Sequence, residues 1–80
     1  MKLPIIKKLA ESYEVAQLEA AAEALEAGEQ PAIEIEGADE GEQLTHALAA
    51  AWVRQKVETD GVEAREALRA YTQMVRNSIS

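Results

Sequence analysis

One cluster in this sequence has the residue types that chemistry needs. Asp39-Glu40-Gly41-Glu42 gathers carboxylates, and His46 follows Glu42 by four residues. Residues four apart share a face of a helix. The Glu42 carboxylate and the His46 imidazole could therefore hold a metal ion, with Asp39 as a further oxygen ligand, or exchange a proton. A metal site would need more ligands than these, and no second Glu/His pair exists. Di-iron bundles draw Glu-x-x-His from two helices, a different spacing and twice the ligands. The competing reading is a helix start. Asp39 would be the N-cap, with Glu40 and Glu42 in the first turn complementing the helix dipole. Asp39 and Glu42 have the spacing of a capping box, which ordinarily begins with Ser or Thr. His46 would then pair with Glu42 or fill a partly buried slot. This second reading needs nothing the sequence lacks, and it is the one favoured.

Nucleophilic catalysis has less to work with. There is no cysteine, which removes a thiol nucleophile, a zinc–thiolate site and any disulfide framework. Ser12 reads as a helix cap, and Ser78 and Ser80 lie at the C-terminal end, none near His46 in sequence. A serine nucleophile needs a base and an orienting group beside it. The four glycines are scattered at element ends and form no phosphate-cradling loop. No cofactor is implied.

Two further features could bind a macromolecule. Arg65, Arg69 and Arg76, with Gln73, form a polar stripe on the last helix, where a DNA-reading helix carries its contacts. The net charge of −7 opposes this. Glu19, Glu23 and Glu26 on an earlier helix could instead lie opposite the arginines and neutralise them. Trp52 is the residue type of a protein–protein hot spot, although a lone tryptophan in an apolar helix is more often core. Tyr13 and Tyr71 carry the same ambiguity.

These residues require helices to position them. Leu3–Ala10 reads as a short helix with Pro4 in its first turn, an apolar edge of Leu3, Ile6 and Leu9, and Lys7 and Lys8 on its solvated side. Ser12 is the expected N-cap of a second helix running to about Ala27 and stopped by Gly28, with Pro31 beyond. Val15, Leu18, Ala22 and Leu25 make its main apolar stripe. Tyr13, Ala16, Ala20, Ala24 and Ala27 make another, so this helix is expected to meet two neighbours, one of them from another subunit. Pro31–Glu36 alternates as a strand does. With no second strand in the chain, it either tucks Ile33 and Ile35 under the helices or pairs with its copy across a dimer axis. The first is favoured.

The central helix spans Glu40–Gly61, with stripes of Leu44, Ala47, Leu48 and Ala51 and of Ala49, Ala50, Val53 and Val57. Trp52 lies between them. Being apolar nearly all round, it should be covered on most sides. It ends at Thr59-Asp60-Gly61, where glycine suits a left-handed residue. The last helix, Glu63–Ile79, is amphipathic through Ala64, Ala67, Leu68, Tyr71, Met74, Val75 and Ile79. The fold class is all-α: one four-helix domain over residues 1–80, a short N-terminal helix and three longer ones, with an extended segment near residues 31–36.

Composition supplies the remaining bounds. Hydrophobic residues are 48% of the chain, but alanine dominates them and phenylalanine is absent. Alanine forms helices well and buries little area. Eighty residues with so thin a core are often completed by a second subunit. A homodimer, or binding to another protein, is the leading expectation. No stretch approaches the ~20 apolar residues of a membrane span, and the N-terminal apolar stretch is too short for a signal segment. A soluble, cytoplasmic protein is expected.

Three stretches together carry a resemblance: MetLysLeuProIleIleLysLysLeu at the start, GluGlyGluGlnLeuThrHis-x-LeuAlaAla-x-Trp in the middle, and AlaLeuArgAlaTyrThrGln-x-ValArgAsnSerIle at the end. They resemble a small bacterial family, found mainly in Bacteroidetes-like groups, that carries no established function. The resemblance covers most of the chain and is least distinctive over Gly28–Gly37. It supplies no catalytic residues. From the residues themselves, a non-enzymatic interaction or self-associating module comes first. A metal or acid–base site at Glu42/His46 is the alternative, and nucleic-acid binding through the last helix is third.

Overall fold

The computed structural model describes residues 1–79, with side chains through Ser78, and contains four helices: α1 Leu3–Ser12, α2 Val15–Glu26, α3 Glu40–Asp60 and α4 Ala64–Ile79. The expected Ile79 contact and the Ser80 hydroxyl lie outside the described side chains. Among the described residues there is no strand, and the all-α, four-helix class holds. No helix among the described residues is long and apolar enough to cross a membrane.

The short α1 carries Pro4 in its first turn, where a missing N–H costs nothing. It runs two residues further than the sequence suggests. The Tyr13 N–H closes the last turn on the Leu9 carbonyl at 3.0 Å, so Ser12 is the last residue of α1 and not the cap of α2. Glu14 takes that place, with its N–H donating to Gln17 Oε1 at 3.0 Å. The buried edge of α1 is Ile6, Leu9 and Ala10. Leu3, expected on that edge, sits in the first turn and is exposed.

Leu18, Ala21, Ala22 and Leu25 are the buried face of α2. Its end is a Schellman motif: Glu29 N–H donates to the Ala24 carbonyl at 2.8 Å and Gly28 N–H to Leu25 at 3.1 Å. Gly28 supplies the required left-handed residue, with φ 74°. The second stripe is not covered within the chain, since Ala16, Ala20 and Ala27 are exposed. The connection to α3 buries Ile35 and half-buries Ile33, while Glu34 and Glu36 face solvent. The alternation is real, and its cause is a loop tucked against the helices. At Gly37 that loop comes so close to α3 that an added Cβ would stand 2.8 Å from both Cγ and the backbone nitrogen of Gln43.

α3 is the hub. It packs on α1, α2 and α4, whereas among the described residues α2 and α4 share no comparable packing. Among the described residues no ion pair joins Glu19, Glu23 or Glu26 of α2 to Arg65, Arg69 or Arg76 of α4, so the expected neutralisation does not form. Ala47, Ala49, Ala50 and Ala51 are buried along α3 beside Val53. Side chains this small let neighbouring backbones approach on several sides, which explains how a thin core closes. α3 ends at Gly61, φ 69°, and a three-residue link turns the chain back into α4. The molecule measures 31 × 28 × 18 Å.

Two residues expected in buried stripes are exposed. Leu48 on α3 is 49% accessible and Met74 on α4 is 42% accessible. Leu48 lies on the side of α3 turned away from the α1 contacts of His46 and Arg54, and it stays open there.

Candidate functional site

His46 is fully buried, at 0% accessibility. Its Nε2 accepts the Lys2 backbone N–H at 3.0 Å, and its Nδ1 lies 2.7 Å from the Glu36 carbonyl oxygen. An amide N–H can only donate and a carbonyl can only accept, so Nε2 carries no proton and Nδ1–H donates. This is the pattern of a neutral imidazole with both nitrogens bonded to backbone. The ring ties α1 and the loop before α3 to the hub. A metal at Nε2 would have to displace the Lys2 amide.

Glu42 serves the same junction. Its N–H donates to the Asp39 carboxylate at 2.8 Å, so Asp39 is the N-cap as expected. The return bond goes one residue beyond a capping box: the Ala38 N–H, not that of Asp39, donates to Glu42 Oε1 at 2.8 Å. The Met1 ammonium lies 3.5 Å from Oε2. The Ala38 N–H is the main reason the Glu42 carboxyl titrates below its ordinary value. Burial opposes this, and the Met1 ammonium adds to the lowering. Asp39, Glu42 and His46 are thus brought together, each with backbone partners. No group of three metal-ligating side chains occurs among the described residues.

Eight residues beyond His46, Arg54 does a matching task that its residue type alone does not reveal. Its guanidinium donates to the Ala10 carbonyl at 3.1 Å and to Glu58 at 2.9 Å. Ala10 is in the last turn of α1, where carbonyls lack helical partners and the dipole favours a cation. His46 holds the start of α1 and Arg54 its end. Both bonds join residues 44 apart in sequence, so α1 and α3 run parallel in a fixed register.

Trp52 is half-buried and packs on Tyr71 of α4, ring centroids 5.5 Å apart at 57°. Lys56 Nζ lies 5.7 Å from the Trp52 ring centroid and 2.7 Å from Asp60. Leu48, one turn before Trp52, and Met74, one turn after Tyr71, extend this cluster as exposed apolar side chains. Trp52 is thus neither wholly core nor wholly surface.

Arg65, Arg69 and Arg76 are all exposed on α4. Arg65 pairs with Glu63 at 3.5 Å, and Glu66 stands beside the stripe. Such exposed pairs contribute little. The stripe is a solvated face, and among the described residues its one recorded ion pair is Arg65–Glu63.

A hollow of about 820 Å³ lies along the 28–37 connection between Leu25 and Gln43. Its charged lining is glutamate alone, namely Glu29, Glu34, Glu36 and Glu40, with no nucleophile or base opposite. A smaller one of about 100 Å³ sits between Ile5, Leu9, Tyr13 and Glu34.

No curated protein and no solved structure matches the chain. One family does, and it covers residues 1–80: the chain belongs to the family of unknown function DUF6952.

Proposed function

We propose that this chain is a non-enzymatic helical module that works by docking another apolar helical surface onto α3. The observation that carries this is the exposed Leu48 beside half-buried Trp52 and Tyr71, extended by exposed Met74. An apolar cluster of this make-up, with an aromatic anchor at its centre, is what protein interfaces bury. His46, the most reactive-looking side chain, is committed on both sides to backbone and serves the fold. The cysteine-free composition fits a reducing compartment, and we place the protein in the cytoplasm.

The test compares wild type with a Leu48→Glu variant as immobilised baits in a native lysate. Wild type should retain a protein, its own chain included, that the variant loses while keeping its helical circular dichroism. Identical retention by both baits would sink the reading.

A further inference from the structure

The side of α3 turned away from α1 can be followed from end to end. Gly41, Thr45, Leu48, Trp52, Gln55 and Thr59 recur at alternating spacings of four and three, and all are exposed except half-buried Trp52. That is the spacing with which one helix presents a lengthwise seam to another. None of the six is charged, in a chain whose charged residues make up 29%. The order is also symmetric about residue 50. Leu48 mirrors Trp52, Thr45 mirrors Gln55, and Gly41 mirrors Thr59. Large apolar residues mirror each other at the centre, uncharged polar residues flank them, and small residues stand at the ends.

We infer that the surface docked on α3 is the α3 of a second copy, antiparallel about a two-fold axis at residue 50. This inference rests on the interaction reading above and names the partner. An isologous interface needs a patch that fits itself reversed. The seam does so, with Leu48 set against Trp52 of the other copy, twice over. Opposed helix dipoles favour the antiparallel sense. Two chains of charge −7 repel, and none of the six seam residues adds to that repulsion.

The absence of native cysteine allows a direct test. A Thr45→Cys variant mixed with a Gln55→Cys variant should form a disulfide-linked pair under mild oxidation faster than either variant alone, because only the mixture sets the two thiols opposite each other. By sedimentation equilibrium the wild type should weigh twice 8.7 kDa. Leu48→Glu and Leu48→Lys should both weigh 8.7 kDa with unchanged helicity. The lysine variant, which reduces the negative net charge, excludes simple added repulsion as the cause. A wild type that stays monomeric to millimolar concentration overturns the inference, as does a dimer indifferent to both substitutions. Thr45→Cys linking to itself as fast as to Gln55→Cys overturns the antiparallel pairing. A monomer that retains a foreign protein, lost with Leu48→Glu, overturns the second-copy assignment and leaves the interaction reading standing.

Discussion

At the scale of single residues, His46 carries a structural load that few side chains could. It accepts on one side and donates on the other, across a gap between two backbone segments. Replacing it with alanine strands the Lys2 N–H and the Glu36 carbonyl and opens a cavity. Equilibrium denaturation should show a loss of about 3 kcal/mol. Gly37→Ala places a methyl against the Gln43 backbone, which cannot rotate away; the expected cost is about 2 kcal/mol. Glu42 adds a pH dependence whose sign follows from its lowered folded-state value. A carboxyl that titrates lower when folded stabilises the fold above its unfolded pKa of about 4.3. That contribution fades as pH falls through the folded value. Thermal melts below about pH 4.3 should therefore show a shallower decline for Glu42→Gln than for wild type.

At the scale of elements, the capped ends of α2 and α3 were readable because caps are local. Gly28, Asp39 and Gly61 announce themselves by type and position, and the structure uses each accordingly. The boundary between α1 and α2 was less legible. Ser12 is a good cap in isolation, but the α1 ladder continues through it. Periodicity identified α3 as apolar nearly all round, yet could not say which side lacks a neighbour. Leu48 and Met74 look like core until the placement of α1 is known. At the candidate site, the Asp39–Glu42 cap was legible, whereas the burial of His46 and the task of Arg54 depend on contacts 44 residues away. No local pattern encodes those. Arg54→Ala should free the end of α1, giving faster amide exchange at Ser12 and Tyr13, while the exchange of α4 amides stays unchanged.

At the scale of the whole molecule, a body 18 Å across its short axis that leaves Leu48 and Met74 exposed should gain stability by association. The melting temperature of wild type is expected to rise with protein concentration, and that of Leu48→Glu to stay flat. The pairing of α1 with α3 has another consequence, concerning chain length. Positions 2 and 10 meet positions 46 and 54 at one common offset, so the two helices behave like strips fastened at both ends. A residue inserted between the fastenings on either helix turns everything after it by about 100° and leaves one fastening without its mate. A residue inserted in the exposed connection around Glu29–Gln30 adds little closure entropy and disturbs neither. Length variation in this protein should therefore collect in that connection and be absent from residues 2–10 and 46–54.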